Sequence, residues 1–258
     1  MTPFDLQRAA QAFAAARAAA RPLGALPPDA VPRTMDEAYR VQAEIARLTG
    51  GHRGWKVGAL TAEARAAAGI DRPTGARLLT HFVHAAPARL SHARFVAPAL
   101  ECELAFEMAT DLPPRAAPYG ADEVVAAVAA MRLAIEIADT RLPPKPPTPL
   151  NVADAGANGA FVFGPAVASW RSIDRAAIEV VLHVDGCEAA RGTGAAVLGD
   201  PLRALVLLAN NPPPHGPGLR RGDFVTTGSL TGMTPVAPGA SAVADFLFLG
   251  KVEVSFAP

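Results

Sequence analysis

The chain has 258 residues, half of them hydrophobic, with 24 basic and 24 acidic side chains. This composition allows a sizeable core, and the balanced charge lacks the basic surface that nucleic-acid binding requires. No apolar run reaches membrane-spanning length, and polar residues interrupt the N-terminal Ala-rich segment, which predicts a cytoplasmic protein with no membrane contact. Cys102 and Cys187 lie far apart in apolar stretches, and both are predicted to be inert core thiols in a reducing compartment.

Residues 1–95 are predicted to form a helical N-terminal region with short strands. Thr34 and Glu37 have the spacing of a capping box, and apolar residues at helical spacing follow them. The stretch GWKVG predicts a short strand that carries Lys56. The next polar stretch, residues 71–79, contains Pro and Gly and is typical of a loop.

Residues 96–258 are predicted to form a β-rich catalytic core. Short runs of Val, Ile, Phe and Leu alternate there with turn residues, which is the pattern of successive strands. Two helices are predicted to interrupt these strands, at residues 122–134 and 200–211. The sequence therefore indicates an α+β chain with its helices concentrated near the N-terminus.

A pair of glutamates interrupts the apolar stretch ALECELAFEM. Side chains two apart on a strand point to the same face, so Glu101 and Glu103 are expected to lie together. Carboxylates buried without compensation cost roughly several kcal/mol each, and a counter-charge is therefore expected. Glu136 is similarly embedded in LAIEIADTR, with Asp139 as a rival. No His or Cys accompanies these acids at ligand spacing, which favours Mg²⁺ or Mn²⁺; the alternative is an ordinary solvated strand face.

Lys56 is the second candidate for chemistry. A lysine between Trp55 and Val57 in a short strand either extends to solvent or serves a nearby acidic site. Beside a metal site, Lys56 is predicted to act in acid–base catalysis or to bind a carboxylate, with its pKa lowered by partial burial.

Seven motifs follow one another along the chain: GWKVG, LECELAF, IEIADTR, VADAGANGAFVFG, GDPLRALVLLAN, GLRRGDFVTTGSLTGMTPVAPG and FLGKVEVSF. This ordered set resembles the 2-keto-4-pentenoate hydratase and 4-oxalocrotonate decarboxylase family of the fumarylacetoacetate hydrolase superfamily, over residues 35–256. The resemblance implies an α+β fold with a small helical N-terminal region on a β-rich, mixed-sheet core. It also implies an active-site lysine at Lys56 and a divalent metal held by Glu101, Glu103 and Glu136.

The activity implied by the resemblance is hydration of a 2-hydroxy-2,4-dienoate to a 4-hydroxy-2-oxo acid, in the meta-cleavage catabolism of aromatic compounds. The alternative is decarboxylation of 2-oxo-3-hexenedioate. A third interpretation is a non-catalytic assembly partner of such enzymes. The resemblance also implies a homo-oligomer and possible association with a related decarboxylase or hydratase, or with a downstream aldolase.

Some positions of the chain depart from the pattern of the family it resembles. Thr74 stands where hydratases usually carry an acid, and Asp71 lies three residues earlier. Asn158 occupies a position that is commonly a small hydroxyl residue, and it is predicted to face the substrate. Ser229 and Thr231, in GSLTG, are predicted either to hydrogen-bond the substrate or to form a tight turn.

Overall fold

Two β-sheets form the centre of the structure, a computed structural model that describes residues 3–258. The strands are β1 (His52–Gly58), β2 (Thr74–Leu79), β3 (Val83–Ala85), β4 (Ala88–Ser91), β5 (Ala99–Met108), β6 (Val128–Ala138), β7 (Asn158–Ala166), β8 (Glu179–Val184), β9 (Cys187–Thr193), β10 (Phe224–Thr226), β11 (Thr234–Pro235), β12 (Ser241–Asp245) and β13 (Lys251–Ala257). The helices are α1 (Leu6–Ala18), α2 (Met35–Leu48), α3 (Ala62–Ala68), α4 (Ala121–Ala126), α5 (Thr148–Ala153) and α6 (Leu202–Asn210).

The larger sheet has eight strands in the order β2-β1-β10-β5-β6-β7-β3, with β11 paired to β5. It mixes parallel pairs, such as β1 with β10, and antiparallel pairs, such as β5 with β6. The second sheet has five strands in the order β4-β13-β12-β8-β9. The expected α+β fold with a mixed-sheet core is confirmed.

The N-terminal helices pack as a small layer with its own apolar core. In α1 the side chain of Asp5 caps the helix by accepting from the Arg8 amide at 3.0 Å. In α2 the predicted capping box of Thr34 and Glu37 is present. Phe13 is buried with residues of α2 and α5. The proposed boundary at residue 95 remains a prediction, and the larger sheet runs across it, since β1 and β2 pair within that sheet.

The predicted helix at residues 122–134 is wrong beyond its first turns. Helix α4 ends at Ala126, and β6 begins at Val128 and runs between β5 and β7. The Ala-rich sequence suits a helix locally, but Met131, Leu133 and Ile135 are fully buried in the sheet core. Pairing on both edges and burial on both faces outweigh the local helix propensity.

Two smaller predictions are also wrong. The expected loop at residues 71–79 contains β2, which pairs antiparallel with β1 from Thr74 to Leu79. Long-range pairing stabilises this strand although Pro73 and Gly75 are turn residues in sequence. Cys102 is buried as expected, but Cys187 is exposed because it follows the Asp185-Gly186 turn.

No helix in residues 3–258 is both long enough and apolar enough to cross a bilayer.

Candidate metal centre and adjoining cavity

Three glutamates meet where β5 pairs with β6. Glu101 lies directly opposite Glu136 in the antiparallel register, and Glu103 lies two residues along the same face of β5. One oxygen from each carboxylate lies within 4.8 Å of the others. Glu103 and Glu136 are buried, with 1% and 0% of their surface exposed. The trio predicted from sequence therefore forms a single acidic cluster, in which Glu103 and Glu136 are buried and Glu101 is partly exposed.

Lys56 extends from β1 into this cluster. Its Nζ lies 2.8 Å from Oε1 of Glu136 and 3.8 Å from Oε2 of Glu101. The side chain is only 16% exposed, so it does not extend to solvent. Lys56 thus supplies one positive charge against three carboxylates, which leaves an excess of two negative charges when all four groups are ionised.

Burial and mutual repulsion shift the pKa values of the acidic groups. Burial raises the pKa of Glu103 well above its ordinary value, and the charges of Glu136 and Glu101 raise it further. Burial also raises the pKa of Glu101, although the Lys56 ammonium opposes this. A cluster of this kind favours either protons or an added cation.

The pKa of Lys56 moves in the opposite direction from the sequence prediction. Burial lowers this pKa, as expected, but the charges of Glu136 and Glu101 outweigh burial and hold it above its ordinary value. In this arrangement Lys56 is an ammonium group. It therefore enters chemistry as a proton donor or as a positive contact for an anion.

The donor set of the cluster fits a divalent cation. Oε2 of Glu136 is buried and, among the described residues, has no hydrogen-bond partner. An orphaned buried carboxylate oxygen is costly, and a cation beside it would remove that cost. Three carboxylates are the hard oxygen ligands that Mg²⁺ and Mn²⁺ prefer.

Neighbouring groups fix the orientation of two of the carboxylates. Asn158, at the start of β7, donates from Nδ2 to Oε1 of Glu136 at 3.0 Å. The amide of Gly228 donates to Oε2 of Glu103 at 2.9 Å. Gly228 has φ +112°, a conformation that L side chains rarely adopt, so glycine suits this close approach. Asn158 is thus in contact with the cluster, and its contact with substrate remains a prediction.

The hydroxyls of GSLTG form the tight-turn contacts that were one of their two predicted roles. Ser229 and Thr231 both donate to the carbonyl of Gly232, at 3.2 and 3.1 Å. Thr231 also accepts from the amide of Cys102 at 3.2 Å. Ser229 in addition lies within hydrogen-bonding reach of Glu101. The turn is therefore attached directly to β5, and a substrate contact by either hydroxyl remains a prediction.

Asp139, the rival third acid, lies in a different hydrogen-bond network. Its Oδ1 accepts from the amides of Val96 and Ala97 at 2.9 and 2.8 Å, and its Oδ2 pairs with Arg141 at 3.1 Å. Both oxygens have partners, and the cluster of close carboxylates contains Glu136 instead.

A cavity of about 250 Å³ adjoins Lys56. Thr74 and Asn151 are among the polar side chains on its wall. Asp71 does not line this cavity, and its side chain is 90% exposed. Thr74, and not the nearby acid, therefore faces the cavity beside Lys56.

Sequence reasoning missed a buried arginine network behind the cluster. Arg17 of α1 donates to the backbone carbonyl of Asn158 at 2.8 Å, and Arg141 pairs with Asp154 at 2.8 Å. Burial, reinforced by the charge of Arg141, lowers the pKa of Arg17 to about 9 although Asp154 opposes this shift. Arg17 follows the buried Phe13 by four residues, and this helical spacing was the available signal.

Comparison with known proteins identifies the family to which this chain belongs. Residues 63–256 match the family model described as fumarylacetoacetate (FAA) hydrolase C-terminal. A 2-keto-4-pentenoate hydratase from Burkholderia vietnamiensis is 31% identical over 224 residues, which is 85% of each chain. A 4-oxalocrotonate decarboxylase from Pseudomonas putida is 28% identical over 228 residues, or 86% of each chain.

A solved structure extends this likeness to the fold. The 4-oxalocrotonate decarboxylase from Pseudomonas putida G7, complexed with magnesium and adipate, superposes with a TM-score of 0.87 at 27% identity. The match covers 97% of both chains. The chain belongs to the fumarylacetoacetate hydrolase family.

Proposed function

We propose that this chain is a divalent-metal-dependent hydratase that adds water to a 2-hydroxy-2,4-dienoate and releases a 4-hydroxy-2-oxo acid. One observation carries the proposal. Lys56 lines the cavity and also lies 2.8 Å from Glu136, whose second oxygen is buried without a partner in the described residues. A substrate in the cavity would meet the ammonium group and the acidic cluster together. The hydratase relatives support this activity.

The acidic cluster would hold Mg²⁺ or Mn²⁺ through Glu101, Glu103 and Glu136. When bound, the cation would supply Lewis-acid stabilisation of negative charge on the C2 oxygen of the substrate. Asn158 and Gly228 would keep Glu136 and Glu103 aimed at the cation, since each already donates a hydrogen bond to one of them.

Lys56 is proposed to serve the proton transfers of the reaction. The C2 enol hydroxyl loses its proton as C5 gains one, which gives a 2-oxo-3-enoate. Water then adds at C4 while C3 takes up a proton, so the overall change is the gain of one water. The raised pKa of Lys56 favours the ammonium form, whose roles are donating a proton or holding the substrate carboxylate. Thr74 and Asn151 are neutral, and on the cavity wall they would orient the water.

Turnover with defined substrates tests the proposal. Purified protein with Mg²⁺ is supplied separately with 2-hydroxypenta-2,4-dienoate and 2-oxohex-3-enedioate, and products are identified by mass. We expect the first to give a product heavier by one water. A protein that contains bound metal, yet leaves the dienoate unchanged, would refute the hydratase assignment.

Decarboxylation is the second candidate. The structural match to the decarboxylase that was solved with magnesium and adipate favours it. In the same experiment it predicts a product of the diacid that is lighter by one carbon dioxide.

We also propose a homo-oligomer in the cytoplasm that associates with a related decarboxylase or hydratase, or with an aldolase. Exposed apolar side chains at Met233, Leu247 and Phe248 support an interface between copies. Free Cys102 and Cys187 suit a reducing compartment. Light scattering of the purified protein tests the oligomer, and a monomer at all concentrations would contradict it.

A further inference from the structure

We infer that Arg17, in the last turn of α1, is a positioning residue for the metal centre and acts on it through Asn158. This inference rests on the metal site of the proposed function. It concerns the left-handed turn, residues 155–157, which joins α5 to β7 and ends directly before Asn158.

The backbone of the left-handed turn is strained. Its φ values are +54° at Ala155, +59° at Gly156 and +63° at Ala157. Glycine adopts this conformation without steric cost, whereas the Cβ of an L residue approaches a backbone carbonyl oxygen. Because two of the three residues are alanine, the turn persists only where the surrounding structure holds it.

Two buried guanidinium groups hold the ends of the left-handed turn. Arg17 donates from Nη1 to the carbonyl of Asn158 at 2.8 Å and from Nη2 to the carbonyl of Asp154 at 3.5 Å. Arg141 donates from Nη2 to the same two carbonyls, at 3.4 and 3.3 Å. Each arginine therefore bridges the residue before the turn and the residue after it. Arg17 makes the shortest of the four contacts.

Packing fixes Arg17 itself. Its side chain is buried, and its guanidinium carbon lies 5.4 Å from the centre of the Phe82 ring. One helical turn earlier, Phe13 is buried in the apolar core of the N-terminal layer. This apolar packing keeps α1 in place independently of the guanidinium, so the Arg17 side chain can be replaced while the helix stays docked.

The left-handed turn delivers Asn158 to the acidic cluster. The side chain of Asn158 is buried, and its Nδ2 donates to Oε1 of Glu136 at 3.0 Å. A shift of the Asn158 backbone would move this amide and with it the carboxylate of Glu136, whose other oxygen is free to accept a cation. Loss of a partner behind a metal ligand typically lowers metal affinity about 10- to 100-fold. Arg17 is therefore expected to raise the affinity of the cluster for a divalent cation.

The experiment is a Mn²⁺ titration of each folded variant, with thermal unfolding in chelator measured in parallel. Arg17→Met should weaken Mn²⁺ binding by about tenfold or more. Arg8→Met is the matched control, because Arg8 lies in the same helix but pairs with Asp29 at the surface, at 3.4 Å. It should bind Mn²⁺ as the wild type does. A lower melting temperature with unchanged Mn²⁺ affinity in Arg17→Met, or an equal loss of affinity in both variants, would overturn the inference.

Arg17→Lys provides the same test if Arg17→Met does not fold. It keeps the buried positive charge but lacks the planar fork that bridges two carbonyls. Mn²⁺ binding should again weaken, by less than in Arg17→Met. Wild-type affinity in Arg17→Lys would overturn the bridging role of the guanidinium.

Two combined variants test the route from Arg17 to the metal. Adding Arg17→Met to Asn158→Ala should cause little further loss of Mn²⁺ affinity, because both changes act through one contact. Fully additive losses would contradict that route. Adding Ala157→Gly to Arg17→Met should recover part of the lost affinity, because glycine adopts φ +63° without steric cost. No recovery would exclude strain in the turn as the reason that Arg17 is needed.

The titration separates this inference from the proposed activity. Absence of turnover with every dienoate, in a wild type that binds Mn²⁺, would refute the hydratase. The comparison of Arg17→Met with Arg8→Met would still decide the role of Arg17. Hydration by the wild type together with unchanged Mn²⁺ affinity in Arg17→Met would overturn the inference alone.

Discussion

The carboxamide of Asn158 donates a hydrogen bond of 3.0 Å to Oε1 of Glu136. Lys56 contacts the same oxygen at 2.8 Å, so one oxygen of Glu136 has two donors while Oε2 has none in the described residues. This asymmetry leaves the second oxygen of Glu136 free to accept a cation. It makes Asn158 the neighbour that orients a metal ligand.

Asn158→Ala is therefore expected to weaken metal binding about 10- to 100-fold, as the loss of a partner behind a ligand typically does. Manganese titration measures this affinity. Asn210→Ala is the control, because Asn210 also makes side-chain hydrogen bonds but makes them to Tyr119, away from the cluster. Unchanged metal affinity together with a raised KM at saturating metal would assign Asn158 to substrate binding instead.

Substitution of Lys56 separates proton transfer from carboxylate binding. Lys56→Met keeps an apolar stem but removes the ionisable group, and should lower kcat about 100-fold or more if Lys56 transfers a proton. Lys56→Arg keeps the charge, but arginine hardly deprotonates. Retention of activity in Lys56→Arg alone would indicate carboxylate binding. Near-wild-type rates in both variants, with bound metal quantified, would exclude Lys56 from both roles.

Glu103 should make stability without divalent cation depend on pH. Its pKa is raised above the ordinary value of 4.5 in the folded chain, so the folded state binds this proton more tightly than the unfolded state. The resulting stabilisation is complete below pH 4.5 and is lost as the pH rises towards the folded pKa. In chelator, the melting temperature should fall more steeply as the pH rises above 4.5 for wild type than for Glu103→Gln. Parallel curves for the two proteins would contradict this assignment.

The hydroxyls of the GSLTG turn give a prediction about stability. Thr231→Val removes the hydrogen bonds to Cys102 and Gly232 and should cost about 1 to 3 kcal/mol of unfolding free energy, with little change in KM. Ser229→Ala is the comparison, since Ser229 also bonds to Gly232 but lies near Glu101. Denaturant unfolding and steady-state kinetics measure the two effects. A large rise in KM with unchanged stability would identify a substrate contact.

The acidic cluster could be predicted from sequence because burial and strand alternation are local signals. Apolar neighbours marked Glu101, Glu103 and Glu136 as buried, and a spacing of two placed the first pair on one face. The order of motifs then indicated the family and its mixed-sheet fold. The capping box of Thr34 and Glu37 was equally readable, because it depends on four consecutive residues.

Features that depend on contacts between residues far apart in the chain could not be predicted from the sequence. The strand that follows Ala126 is stabilised by two neighbouring strands, and its own Ala-rich sequence favours a helix. The raised pKa of Lys56 depends on its distance from Glu136, which no spacing along the chain gives. Thr74 lines the cavity and Asp71 does not, and this difference likewise depends on where β2 begins.

The most direct test of the account is to measure whether hydration depends on bound metal. Wild-type protein and Glu136→Gln are treated with chelator, and Mg²⁺ or Mn²⁺ is then added back while bound metal and the hydrated product of 2-hydroxypenta-2,4-dienoate are measured together. The account predicts no product in chelator, recovery in the wild type in proportion to bound metal, and loss of both metal and product in Glu136→Gln. Full hydration by the wild type with metal absent by elemental analysis would contradict it.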